Sequence, residues 1–451
     1  MKTRLLLCTA AMLLAPALRA QTLPDFGYRA WATGSTRSLL VVLANFATAD
    51  PLGHDLAYFD DFVFNAQRRP SVNGYFQEVS NGRFTWRRAG AIGPINFTAG
   101  ELGANFTPDG MEFGLRRQLY HSNMVHRIMT SGLFNFATAD ANQNGTVTMD
   151  ELVIVVVSTD PWENTSNRGT GRVQPPGSPV AWDGNIVRLW HSNDFASVCH
   201  EIMHSLGAAD LYGVWGVQCL NSRLTLMGCT ITFPENPAIY HLDPWHKMLF
   251  GWSEPRLRQL RTGGKETIAA AQLLQPTAPL LLFDSSMGAN DYFLVEYRTR
   301  TTPSGSGYDA NVAGNGMVVW HFVAGQPLVA EGSPSLNRGG TTPWPGNATT
   351  PHLTNGTTTA TRLFVRPFNI GDASITVEWL TESETWVDFL RPFFRPEFGT
   401  FDNPFDTVAE GQTFASHGGT LWIKAGSSFE TPLLTKRMTI QAYNGPVTIG
   451  R

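Results

Sequence analysis

Val198-Cys199-His200-Glu201-Ile202-Met203-His204-Ser205-Leu206-Gly207-Ala208-Ala209-Asp210 sets two histidines four residues apart and a glutamate directly after the first. On an α-helix, positions i and i+4 share a face, so His200 and His204 can aim both imidazoles at one ion. Zinc accepts that arrangement, and Glu201 stands beside the metal rather than on it, with a carboxylate able to take a proton from bound water. Gly207 can leave the helix with φ > 0 and turn the chain so that Asp210 returns toward the ion as third ligand. Glu235 and Asp243 are the alternatives for that position, because other zinc peptidases draw their third ligand from a later segment. The His-Glu-x-x-His spacing arises by chance in on the order of one chain in a hundred of this length, so a structural helix that merely carries two histidines is the weaker explanation. Cys199 points about 100° away from His200 around a helix, which fits a disulfide or core cysteine.

Outward from this segment, Met227-Gly228 falls where related zinc peptidases place a methionine turn beneath the metal. The stretch from His241 to Trp252 reads as a helix capped by Asp243 ahead of Pro244 and ended by Gly251, its histidines being surface or packing residues. Upstream, Asp140 to Glu151 matches the twelve-residue oxygen-ligand loop that binds calcium. Asp140, Asn142 and Asn144 hold positions 1, 3 and 5, Gly145 supplies the sharp turn, Thr146 follows at position 7, and Glu151 closes the loop as a bidentate ligand. A strand follows the loop, which predicts a structural Ca2+ clip rather than a sensor, of the modest affinity suited to millimolar calcium. A plain Asn/Gly turn is the competing reading.

The remainder supplies the frame. Leu39 to Val42 reads as a buried strand, His54 to Gln67 and Met111 to Met129 carry helical spacing, and Glu151 to Ser158 is a β-branched run typical of an interior strand. From Ser253 onward Gly, Pro and Thr rise, and the runs Tyr292 to Tyr297, Gly316 to Val323 and Ala373 to Leu380 alternate with turn signals, as in an all-β domain. After about Phe398 the apolar pieces Thr420 to Ile423, Met438 to Ile440 and Val447 to Ile449 are separated by Gly, Asn and Pro. At the N-terminus, Lys2 and Arg4, the apolar run Leu5 to Leu14 and the small residues Ala15, Ala17 and Ala20 follow the order of an export signal. That run is shorter than the roughly 20 apolar residues of a membrane helix, and no later segment offers a span. The expected organisation is a signal peptide at 1–20, an α/β zinc metallopeptidase domain at 21–252, a sandwich-like β-rich domain at 253–395 and a further β segment at 396–451. A net charge of -4 with no basic tract argues against nucleic acid as a partner. Cys199, Cys219 and Cys229 lie beyond the leader, and an oxidising compartment favours one pair among three possible pairings, with Cys219–Cys229 the expected one.

With these residues in place, the chain resembles the immune inhibitor A-type secreted metallopeptidases. The likeness rests on His200-Glu201-x-x-His204-x-x-Gly207-x-x-Asp210-Leu211-Tyr212, Leu226-Met227-Gly228 and Lys247-x-x-x-Gly251-Trp252. It extends to Ser71-Val72-x-x-Tyr75-Phe76-x-Glu78-Val79-Ser80-x-Gly82, Phe293 to Arg298 and Gly316 to His321, and so covers about residues 38–325. The resemblance implies a zinc endopeptidase with a zincin-type α/β domain, in which a twisted sheet with backing helices carries the active-site helix. Members with a long inhibitory propeptide differ from this chain, where only about twenty residues separate the signal from the first strand. The C-terminal segment, with Gly418-Gly419-Thr420-Leu421-Trp422-Ile423, resembles a coil of a pectin lyase-like parallel β-helix, a candidate cap or polysaccharide contact. The expected function is secreted zinc-dependent hydrolysis of extracellular protein. Two rivals stand beside it: a non-catalytic, calcium-stabilised surface or matrix-binding protein with a vestigial zinc site, and a zinc hydrolase of a small substrate.

Overall fold

Two apolar runs that never break for a polar residue, Leu39 to Ala44 and Leu152 to Val157, form the centre of the first half of the molecule. The structure is a computed structural model describing residues 24–46, 51–98, 112–159, 166–211, 224–228, 239–260, 264–273, 278–283, 289–300, 308–309, 312, 315–323, 326–331, 353–354, 360–368, 371, 373–381, 384–392, 397, 399, 401, 404–415 and 418–450. The leader at 1–20, Cys219, Cys229 and Glu235 lie outside these residues.

The first half comprises β1 (Thr36–Phe46), α1 (Leu56–Phe64), α2 (Val72–Val79), β2 (Thr85–Phe97), α3 (Glu112–Thr130), β3 (Thr146–Thr148), β4 (Val153–Ser158), β5 (Ser166–Val173), β6 (Ala181–Trp190), α4 (Phe195–His204) and α5 (Pro244–Leu249). β1 pairs in parallel with β2 and β4, β6 pairs in parallel with β4 and β3, and β5 runs antiparallel along β6. Strands covered on both faces have no polar alternation to keep, hence the continuous apolar runs. The pleat still sorts them. Leu39, Val41, Leu43, Val153, Val155 and Val157 join α1, α2, α4 and α5 in one core, while Leu40, Val42, Ile154 and Val156 meet Tyr120, Met124, Val125 and Ile128 of α3 in another.

The second half contains β7 (Arg256–Gln259), β8 (Gly264–Ala269), β9 (Leu280–Phe283), β10 (Asp291–Arg298), β11 (Gly316–Val323), β12 (Gln326–Glu331), β13 (Leu353–Thr354), β14 (Ala360–Phe368) and β15 (Ser374–Thr381). They form a five-stranded sheet in the order β12-β11-β10-β9-β7 and a four-stranded sheet in the order β13-β14-β15-β8. Strands β9, β10 and β11 of the five-stranded sheet are buried on both sides. Leu280, Leu282, Phe293, Val295 and Val319 pack on Ile375, Val377 and Trp379 of the other sheet, whereas Leu281, Phe283, Tyr292, Leu294, Val318 and Trp320 enter the core that contains α4.

β16 (Glu384–Val387), α6 (Val408–Phe414), β17 (Thr420–Ser428) and β18 (Thr439–Ile449) complete the chain, with all three strands parallel. The two apolar pieces expected at Met438 to Ile440 and Val447 to Ile449 are joined in one strand, β18, which begins at Thr439. Asn444 and Gly445, both at positive φ, bulge within it opposite the Lys424/Gly426 register shift rather than ending it. Among the described residues no helix is long and apolar enough to cross a membrane.

Candidate metal centre

α4 begins at Asp194, whose side chain accepts the Ser197 N–H at 2.9 Å and places a negative charge at the helix N-terminus. Phe195, Val198, Cys199, Ile202 and Met203 bury the helix against the sheet. The helix stops at Ser205, and Gly207 adopts φ +97° with open space where a Cβ would stand, so backbone conformation alone demands glycine there. The turn returns Asp210 to the histidines.

The resulting geometry is a triangle. The two imidazole Nε2 atoms are 3.2 Å apart, and Asp210 Oδ1 lies 3.1 Å from that of His200 and 3.3 Å from that of His204. His200 Nδ1 is 2.9 Å from the Leu226 carbonyl oxygen, and His204 Nδ1 is 2.8 Å from that of Ala208. A carbonyl oxygen only accepts, so in both neutral rings Nδ1 carries the hydrogen and Nε2 presents its lone pair. Asp210 Oδ1 is buried and, despite its proximity to both rings, meets no donor in hydrogen-bonding geometry. Three lone pairs therefore converge on one point. Ligand atoms about 2.0–2.1 Å from a tetrahedral zinc stand roughly 3.3–3.4 Å apart, close to these separations, and two imidazoles with one carboxylate are a zinc donor set.

Burial would raise the Asp210 carboxyl pKa, but whenever the adjacent imidazoles carry a proton on Nε2 they outweigh it and hold the group well below the usual carboxylate range. Burial likewise disfavours charge on His204, whereas Asp210, with the Ala208 carbonyl and Glu201, raises its pKa overall. Glu201 is half-buried, with a carboxylate oxygen within 4.8 Å of both imidazoles. Asp210 Oδ1 and a Glu201 carboxylate oxygen thus both stand at the same pair of imidazoles.

Asp243 is engaged elsewhere in the structure. It is fully buried as the N-cap of α5: Oδ1 accepts the His246 N–H at 3.0 Å, and Oδ2 accepts the Thr225 hydroxyl and His246 Nδ1, each at 2.8 Å. His241 and His246 are packing residues with no surface, His241 Nδ1 standing 2.6 Å from Lys247 Nζ. Met227 is wholly buried, and its carbonyl accepts the Leu211 N–H at 2.8 Å, tying its segment to the residue after Asp210. Cys199 is a buried free thiol, so of its two expected fates the core position holds.

The 140–151 loop is wound around its own side-chain oxygens. Asp140 accepts the Asn144 and Gly145 N–H groups at 3.0 and 2.8 Å, Asn142 accepts Asn144 N–H at 3.0 Å, and Asn144 accepts Thr146 N–H at 2.8 Å. Glu151 folds back onto the loop, accepting from the amides of Ala141, Asn142 and Thr148 at 3.0–3.2 Å. Gln143 and Gly145 take positive φ, which lets the chain curl this tightly. The Thr146 hydroxyl accepts from Arg172 at 2.9 Å.

Two other features stand apart. Glu397, Asp406 and Glu410 cluster within 4.8 Å, but Arg391 pairs with Glu397 and lies 4.0 Å from Asp406, so the chain supplies its own cation there. A cavity of about 430 Å³, with Tyr58, Phe59, Phe62, Trp190, Phe195 and Val198 in its walls, adjoins the first turn of α4. No family model matches this sequence, and no curated protein matches it.

Proposed function

We propose that the chain is a secreted zinc-dependent metalloendopeptidase of the immune inhibitor A type, with a zincin-type α/β domain, acting on extracellular protein. The observation that carries this reading is the convergence of His200 Nε2, His204 Nε2 and the buried Asp210 Oδ1, at 3.1–3.3 Å, with both ring hydrogens directed away to backbone carbonyls. When bound, zinc supplies Lewis acidity and lowers the pKa of a coordinated water to roughly 7. His200, His204 and Asp210 hold the ion. Glu201 takes the proton of the attacking water and passes it to the departing amine, the general acid–base work that a carboxylate beside the metal performs. The reading includes Ca2+ at the 140–151 loop, held by Asp140, Asn142, Asn144, Thr146 and Glu151, as a clip at the entry to β4.

The test is digestion of an unfolded protein by the chain lacking residues 1–20. Internal cleavage that a chelator abolishes and added zinc restores is the expected result. Cleavage that persists at full rate in metal-free protein would remove the zinc from the reading.

A further inference from the structure

We propose that Asp243, with Thr225 and His246, positions the metal ligands from one buried point. The inference rests on the zinc reading above and concerns residues that are not themselves ligands.

His204 is oriented by the Ala208 carbonyl, and His200 by the Leu226 carbonyl. A peptide unit is planar, so a carbonyl can be aimed by holding the N–H of the residue that follows. The Ala209 N–H, in the same peptide unit as the Ala208 carbonyl, donates to His246 Nε2 at 3.1 Å. An N–H only donates, so His246 Nε2 offers its lone pair, and Nδ1 carries the hydrogen it gives to Asp243 Oδ2 at 2.8 Å. The Met227 N–H, in the same peptide unit as the Leu226 carbonyl, donates to Thr225 Oγ1 at 3.3 Å. That hydroxyl donates in turn to the same Asp243 Oδ2 at 2.8 Å. Each imidazole is thus held by a peptide unit whose other end runs through one side chain to one oxygen atom.

The Ala209 peptide also leads directly into Asp210, so the His246 arm governs a second ligand as well as His204. Thr225, Asp243 and His246 are all fully buried, and Pro244 at the first position of α5 pre-sets the backbone next to the cap. A buried carboxylate engaged by three donors has little freedom to adapt. Its fixed position makes both peptide units rigid, and the lone pairs converge as a consequence.

The test measures Zn2+ affinity by chelator competition on the full chain, together with the visible spectrum of the Co2+-loaded protein, which reports ligand geometry. Thr225→Val should weaken Zn2+ binding by the 10–100-fold typical of losing a partner one step behind a ligand, and should alter the Co2+ spectrum. Thr225→Ser, which keeps the hydroxyl, should restore both. His246→Leu should do the same through the other arm, and His246→Gln, which keeps an acceptor for Ala209 N–H, should bind better than His246→Leu. Should His246→Leu fail to fold, as judged by circular dichroism of the metal-free protein, Thr225→Val against Thr225→Ser decides. Asp210→Ala separates the two readings. If it loses Zn2+ while Thr225→Val and His246→Leu bind as the parent does, the positioning role is wrong and the zinc site stands; if Asp210→Ala itself binds as the parent does, both fall.

Discussion

Glu201 and Asp210 are two carboxylates at one pair of imidazoles, to which the proposed function gives different work. In that reading Asp210 holds the ion and Glu201 handles protons. Glu201→Ala is therefore expected to retain zinc and lose activity by at least the 10²–10⁴-fold that general acid–base catalysis contributes. Metal content and turnover measured on one preparation decide it, and a variant that cleaves at the parental rate rules out this role. Glu78 carries a different consequence. Burial raises its pKa to about 7, against the opposing effects of the Tyr308 N–H and Arg69. A carboxyl whose pKa is higher in the folded state than its unfolded value near 4.5 favours the native state most below that value. Its contribution is lost as pH rises through about 7. The total is on the order of 3 kcal/mol. The difference in thermal midpoint between the parent and Glu78→Gln should thus fall steadily between pH 4.5 and pH 7.5, and parallel curves would show that Glu78 stays ionised.

Among the elements, those with strong one-dimensional signals were legible in the sequence. β1 and β4 are apolar throughout because both faces are covered, and α1 and α3 show helical spacing because one face is not. The two histidines and Asp210 were readable for a related reason: a helix followed by a glycine turn is local geometry. α2 gave no such signal, since it is buried on nearly every side and includes Asn73, which the fold satisfies through the Trp86 N–H and the Thr85 hydroxyl, each at 2.9 Å. Nor was the role of His246 visible, because the peptide it holds is 37 residues away in the chain. The loop at 140–151 gives an element-scale prediction. Calcium that binds only the native state raises stability by mass action, by about 2.7 kcal/mol at a hundred times the dissociation constant. The melting midpoint of the parent should climb across a millimolar calcium titration and that of Glu151→Gln should not; a flat parental curve would reduce the loop to an Asn/Gly turn.

For the molecule as a whole, the division of core matters more than the division of sequence. Six side chains of the five-stranded sheet, from Leu281 to Trp320, close the core in which α4 sits, although they lie beyond the boundary expected near 252. Each fully buried side chain of this kind contributes roughly 1.5–3 kcal/mol, so six together match the whole 5–15 kcal/mol stability of a typical domain. A chain ending at Ser253 should accordingly fail to fold, whereas one ending before β16 should keep its melting midpoint and zinc affinity. β16, α6 and β17 support that contrast by packing on a separate core of Val387, Phe405, Val408, Leu421 and Ile423. Calorimetry of the two truncated chains tests both statements. Finally, Cys199 sits on the sealed face of α4, one residue before His200, with a thiol that burial and the Asp194 charge keep well above its ordinary pKa. Such a thiol reacts only when the helix lifts from the sheet, which makes it a clock for that opening. Alkylation located at Cys199 by peptide mapping should run far slower in zinc-loaded than in metal-free protein, and the ratio of the two rates would measure how firmly the metal fastens the helix to the rest of the molecule.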